Sequence, residues 1–172
     1  VVKALLEENK DRILICPAAV KMHHAVRSGL LYHTLSILRA AESLCAIYPF
    51  LNRDLVTAGV ILHDLDKVNE LEVSESGTAS GYTAHGQLIG HLVGGVVGLE
   101  RVGERLGTPR NILEMLQHMV LSHHAIPEFG SPIPPMFPEA ELVSALDTLD
   151  ATLYEMTAAL ENVGEGQFTG KV

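Results

Sequence analysis

The chain of 172 residues has two cysteines, few basic side chains and no long apolar run. Each shortage excludes something. Cys16 and Cys45 both stand in apolar surroundings and read as reduced core residues of a cytoplasmic protein, not as a disulfide framework. No apolar stretch approaches the roughly 18 residues that span a bilayer, and Ile13 to Val20 is interrupted by Pro17, so no membrane partner is expected. Lysines and arginines total 12 against 21 aspartates and glutamates, a formal net charge of −9. That balance argues against broad electrostatic binding of nucleic acid by this domain alone, although bound divalent cations would add local positive charge. The opening VVKALLEENKDR is charged and amphipathic, and no signal peptide is expected in it. Because the chain opens without methionine and inside a helical pattern, a fragment of a longer protein is expected.

What remains is apolar helix. Hydrophobic residues make up 47%, enough for a substantial core in about one domain. The pattern predicts helix over residues 1–12, a short helix in PAAVKMHHAV, and a turn at Arg27-Ser28-Gly29. A long helix from Leu30 to Tyr48 follows, with Leu31, Leu35, Leu38, Ala41, Cys45 and Tyr48 as its stripe and Pro49 as its stop. Asn52 or Asp54 caps the next, which runs to about Asn69. Glu72 to Gly86, rich in Gly, Ser and Thr, offers at most a short hairpin. Gln87 to Leu106 is helical again. The following helix starts at Thr108-Pro109, Thr as cap, and reaches about His124 with Ile112, Leu116, Met119, Val120 and His123 on one face. Residues 125–138 form a proline-rich loop, and Pro138 opens a last helix with Val143, Leu146, Asp147, Asp150 and Tyr154 in one stripe. The expected fold is an all-α bundle forming one domain over residues 1–162, with a flexible tail over 163–172.

The stretch with chemistry in it is VILHDLDKV, Val60 to Val68, where adjacent His63 and Asp64 interrupt an apolar run. Burying an imidazole beside a carboxylate is costly unless something pairs with both. A divalent metal does so; a hydrogen-bonded pair in the core is the plainer account for an isolated dipeptide. Here it is not isolated. His33, His91 and His123 lie on other helices whose faces are otherwise apolar, and Asp147 lies between Val143 and Leu146 in the last stripe. The arginines are too few on core faces to neutralise these groups, so convergence on a metal centre is the simpler account.

The order His33, His63-Asp64, Asp147 resembles the HD phosphohydrolase superfamily, and AVILHDLDK resembles its apolar run ending in HDxGK, with Lys67 at the lysine position. HHAVRSGLLYHTLSILR (His23 to Arg39), GQLIGHL, LSHHAIPEFGSPIPP and EAELVSALDTLDA resemble, in order, blocks of the YhaM-type 3′→5′ exoribonucleases, from about Cys16 to Tyr154. The resemblance implies an HD-domain helical bundle with His33, His63, Asp64 and Asp147 on one metal. It also implies His91 and His123 on a second metal bridged by Asp64, and a metal-activated hydroxide attacking a phosphodiester. Two divalent ions are expected, with a mononuclear centre held by His33, His63, Asp64 and Asp147 as the alternative; mixed His and carboxylate ligation suits Mn, Fe, Co, Ni or Zn. Asp64 and Lys67 are the catalytic candidates, Lys67 for a non-bridging or leaving oxygen, with a solvated helix-end lysine as its alternative.

His24, Arg27, His124 and Ser131 are the candidate substrate contacts; His23-His24 reads equally as a cap and a surface residue. Asp150 is a candidate orienting partner for a ligand histidine, His118 reads as a surface residue, and His85 has no assigned role. In YhaM-type proteins an N-terminal OB-fold precedes the HD domain, and nothing before Cys16 supplies one. Asp66 stands where the family usually has Gly, where it would crowd a phosphate near Lys67; Ser28 stands where a second Gly is frequent. The implied activity is a metal-dependent phosphodiesterase of exoribonuclease type acting on RNA. The alternatives are a hydrolase of nucleotides or cyclic dinucleotides, and a non-catalytic regulatory or relaxase-associated HD module. A homo-oligomer is left open by the sequence.

Overall fold

Apolar residues recurring at helical spacing through most of the chain leave little room for anything but helix. The computed structural model describes residues 1–21, 24–161 and 163–170. In chain order the helices are α1 (Val2–Ile13), α2 (Gly29–Ile47), α3 (Arg53–Leu62), α4 (Lys67–Glu70), α5 (Ala84–Leu88), α6 (Gly90–Leu106), α7 (Arg110–Ser122) and α8 (Pro138–Leu160). A two-stranded antiparallel hairpin, β1 (Leu71–Val73) and β2 (Ala79–Tyr82), separates α4 from α5, and a 3-10 turn (Pro127–Phe129) sits in the proline-rich loop. The chain is an all-α helical bundle with a small hairpin insertion. Beyond α8, residues 163–170 carry no helix or strand.

Helix α3 is the centre of the bundle, packed against α1, α2, α7 and α8. The Asn52 side chain caps it, accepting from the backbone N–H of Asp54 and of Leu55 at 3.1 Å each. Gly59 lets α3 approach its neighbours closely: a Cβ there would lie 2.1 Å from Met119 Cε and 3.4 Å from Val143 Cγ2. This approach, one turn before His63, sets how deep the His63-Asp64 pair sits.

The structure corrects several sequence expectations. Helix α3 stops at Leu62, and residues 63–66 form a tight turn whose bonds span three residues, Leu65 N–H to Leu62 O at 3.3 Å and Lys67 N–H to Asp64 O at 3.0 Å. The expected helix in PAAVKMHHAV is not formed in its described part; His23 lies outside the described residues. There Leu30 N–H bonds to Cys16 O and Ala18 N–H to His24 O, so the segment is held by a bond to the start of α2 and a loop-closing bond of its own instead of by helical ones. The buried stripe of α2 is Leu30, His33, Thr34, Ile37 and Ala41, while Leu35 is exposed; both rows have helical spacing, and the one with His33 faces in. Helices α5 and α6 are broken at Gly90, whose φ of +74° suits glycine. Pro109, not Thr108, is the N-cap of α7, and Ile112 is exposed while Leu113 is buried.

Ser28 adopts φ +61° at the start of α2, a left-handed conformation that explains why glycine suits this position; its hydroxyl donates to Leu14 O at 2.5 Å. Both cysteines are free thiols. Among the described residues no helix is long and apolar enough to cross a membrane.

Filling the contact at Gly59 tests its role. Gly59→Val is expected to destabilise the chain by about 2 kcal/mol through overpacking against Met119, lowering Tm by roughly 4–8 °C in a thermal melt.

Candidate metal centre

Five helices or their ends converge on the Asp64 carboxylate. It is buried, and its two oxygens face different groups. Oδ2 lies 3.5 Å from His63 Nε2 and 3.8 Å from His33 Nε2. His33 Nε2 is 3.1 Å from Asp147 Oδ1 and 3.4 Å from His63 Nε2, closing the first set. Oδ1 faces the other way, 3.4 Å from His91 Nε2 and 3.5 Å from His123 Nε2, with His124 alongside. Within each set, one donor atom per residue lies within 4.8 Å of every other. Donors bound at about 2.1 Å with tetrahedral to octahedral angles stand roughly 3.0–3.4 Å apart, so shifts of a few tenths of an ångström would close either set around an ion.

The imidazoles are already oriented for this task. His63 Nδ1 and His123 Nδ1 each donate to a backbone carbonyl three residues back, Val60 O and Val120 O, at 2.8 Å. His91 Nδ1 donates to Glu70 Oε1 at 2.9 Å and His33 Nδ1 to Asp150 Oδ2 at 2.7 Å. Because a carbonyl or carboxylate can only accept, Nδ1 carries a proton in each ring and Nε2 is the nitrogen left facing inward. His63 and His123 cap the C-terminal ends of α3 and α7. Their side chains occupy carbonyls that a helix end leaves open, and both helix dipoles present their negative ends to the centre.

The fit to cations rests on atoms that otherwise have no partner. Asp64 Oδ1, His91 Nε2 and His123 Nε2 are buried without a hydrogen-bond partner, and all three belong to the second set. Leaving buried polar atoms unpaired costs roughly 1–3 kcal/mol each, more for a charge. A cation among them removes that cost. In the first set protons and Lys67 stand in for a cation. Burial opposes charge on His33, but hydrogen bonds to Asp147 and Asp150 outweigh it and raise the group to about 9. Burial likewise opposes ionisation of Asp64, and the Lys67 and His63 charges beside it hold it well below the usual carboxylate range. Burial pushes His123 down to about 4, leaving it neutral and ready to ligate. Lys67 Nζ is 2.7 Å from Asp64 Oδ2.

The remaining candidates are distributed unevenly. Lys67, His124 and Asp147 line an open cleft of about 620 Å³. His124 also lines a neighbouring, mainly apolar cleft of about 370 Å³ with His91. Ser131 is fully buried and its hydroxyl accepts the His124 backbone N–H at 3.1 Å, which fixes the loop without reaching either cleft. His24 is buried, its Nε2 donating to Asp150 Oδ2 at 2.8 Å and its ring on Tyr154, so it stands behind His33. Arg27 is turned to the hairpin, donating to Glu75 O at 2.8 Å. Asp66 points away from Lys67: it accepts from Asn69 Nδ2 at 2.6 Å and pairs with His85 Nε2 at 3.2 Å. The crowding expected of it near a phosphate does not arise. His118 is half-buried and accepts the Met136 N–H at 3.0 Å, anchoring the proline-rich loop. Glu70, at the end of α4, carries no local signal of this role, because its partner His91 lies 21 residues further along and only the fold brings the two together.

The two carboxylates that orient histidines separate the sets experimentally. Glu70→Ala is expected to weaken cation binding at the second set by roughly ten- to a hundredfold and to spare the first; Asp150→Asn is expected to do the converse, as read by calorimetric titration with Mn. A cation at the first set must displace the His33 proton. Apparent affinity there therefore rises with pH, by at most about tenfold per unit, and levels off above about 9. His123 adds no such dependence in that range.

A family model described as "HD domain" matches residues 30–152. The 3′-5′ exoribonuclease YhaM of Geobacillus sp. (strain WCH70) is 46% identical over 100% of this chain, and that of Bacillus subtilis (strain 168) is 43% identical, also over 100%. The chain covers 52% and 54% of those two proteins, so it spans about half the length of the relatives it matches. No solved structure matches it. The family match begins one turn before His33 and ends just beyond Asp150, enclosing both ligand sets and the carboxylate between them, and the chain belongs to the HD domain family.

Proposed function

We propose that the chain hydrolyses phosphodiester bonds at a centre of two divalent ions and releases nucleotides from the 3′ end of RNA. The observation that carries the reading is the two-sided Asp64: one carboxylate with a ligand set on each oxygen, beside a cleft lined by Lys67. The similarity to the YhaM exoribonucleases supports RNA as the substrate. In this reading His33, His63, Asp64 and Asp147 hold one ion and Asp64, His91 and His123 the other, with His124 as a substrate contact. Mixed nitrogen and carboxylate donors suit Mn, Fe, Co, Ni or Zn. When bound, the ions supply a water nucleophile at neutral pH and neutralise charge on the phosphoryl oxygens.

The chain's own groups do the rest. Asp64 ties the two sets to one rigid turn, so their separation is fixed by a single carboxylate. Burial opposes charge on Lys67, yet Asp64 raises its pKa, so it stays cationic. From its place in the cleft it holds a non-bridging oxygen or stabilises the leaving 3′ oxygen. His124, whose Nδ1 donates to Phe129 O at 2.7 Å, keeps Nε2 as an acceptor toward the substrate. The free Cys16 and Cys45 thiols suit a reducing compartment such as the cytoplasm.

The test is a 5′-labelled RNA incubated with Mn-loaded protein. Stepwise shortening supports the reading; an intact RNA alongside hydrolysis of a nucleotide or cyclic dinucleotide panel overturns it. Asp64→Asn is expected to reduce hydrolysis by roughly a thousandfold, and Lys67→Met to lower kcat by roughly a hundredfold with metal content unchanged by elemental analysis.

A further inference from the structure

The proline-rich loop holds an aromatic ring beside the metal centre. Phe129 is 69% exposed and Tyr82, at the end of β2, is 51% exposed. Both line the cleft that contains Lys67 and Asp147, with Thr148 and Ala151 of α8 along its wall. A single exposed aromatic side chain is ordinary. Two of them from separate elements, strand β2 and the proline-rich loop, in one cleft with the candidate catalytic lysine and a ligand candidate, call for an account.

Phe129 is also held in place. The His124 ring donates to its carbonyl at 2.7 Å, its own N–H bonds to Ile126 O at 3.1 Å, and Gly130 N–H bonds to Pro127 O at 2.9 Å. Gly130, at φ +101°, turns the chain back so that buried Ser131 can accept the His124 N–H. His124 therefore clamps both ends of the loop, and its neighbour His123 is a ligand candidate. The Phe129 backbone is tied to the metal centre through adjacent residues, which places its side chain at the cleft, and a preorganised surface binds with less entropy loss than a mobile one. The cleft, about 620 Å³, falls in the size range of sites that bind small molecules.

We infer that Phe129, with Tyr82 as a second aromatic surface, stacks on the base of the 3′-terminal nucleotide and seats its phosphodiester at the ions. The inference rests on the proposed RNA hydrolysis. The net charge of −9 leaves little electrostatic attraction to track a phosphate backbone beyond the ions and Lys67, and stacking supplies a hold on the base that charge does not. Stacking reads the π-face that every base has, so the selection at this point is for a base and not for its identity.

The experiment crosses the Mn-loaded wild type, Phe129→Ala and Phe129→Trp with two single-stranded RNAs, one complete and one lacking its 3′-terminal base. On the complete RNA, Phe129→Ala is expected to lose roughly ten- to a hundredfold in kcat/KM, and Phe129→Trp to recover it. On the abasic RNA the three proteins are expected to be alike and to match Phe129→Ala on the complete RNA. A 2-aminopurine at the 3′ end, next to a phosphorothioate that slows cleavage, is expected to be quenched by the wild type and by Tyr82→Ala less, and hardly at all by Phe129→Ala. If losses from the substitution and from base removal simply multiply, Phe129 does not touch the terminal base and the inference fails. If the wild type cleaves neither RNA, the failure belongs to the proposed function instead.

Discussion

A carboxylate buried among histidines has to be compensated, and the rest of the structure is arranged around how Asp64 is. Its Oδ2 has Lys67 at 2.7 Å and the His33 and His63 nitrogens just beyond, while its Oδ1 has no hydrogen-bond partner at all. A core that needed only stability would not keep such an atom, since an apolar residue of similar volume avoids the desolvation altogether. The arrangement makes sense as two receptacles for positive charge sharing one wall. The first set is rich in carboxylates and retains a proton on His33; the second is rich in imidazole, with His123 pushed down to about 4 by burial. Their different electrostatics follow from which side of Asp64 the acidic helix α8 lies on.

Holding that geometry falls to parts of the fold that carry no ligand. Gly59 brings α3 against Met119 of α7 and Val143 of α8 one turn before the HD pair. The ends of α3 and α7 repeat one device, Val-x-x-His, in which the histidine closes an open carbonyl of the last turn and presents its other nitrogen to the centre. Glu70 and Asp150 do the same work for His91 and His33 from separate elements. Each inward nitrogen is thus fixed by a second bond on the far side of its ring, which limits the rearrangement needed when a cation enters.

The all-α class, the hairpin insertion, the Asn52 cap and the convergence of His33, His63, Asp64, His91, His123 and Asp147 were all legible in the sequence, because apolar spacing and titratable residues inside it are local signals. The sequence offers Asp150 only as a candidate orienting partner; that its partner is His33 comes from the fold. The stripe of α2 was misread because two rows of apolar residues have the same period and nothing local says which one faces inward. His24, Arg27 and Ser131 were chosen by proximity to motifs in the chain. The fold turns them to Asp150, to the hairpin and to the His124 backbone.

The sequence by itself determined which groups are available: an acidic, cysteine-poor helical chain whose polar core residues are metal-capable, in the order of the HD domain. Tertiary structure decided the division of labour. Only packing sets the two oxygens of Asp64 toward different partners, returns Glu70 beneath His91, turns Asp66 away from Lys67 toward His85, and stands Phe129 at the edge of the cleft. The reason is one of range. Helical periodicity and capping act within a few residues, whereas the direction of a buried side chain is fixed by contacts with elements tens of residues away along the chain.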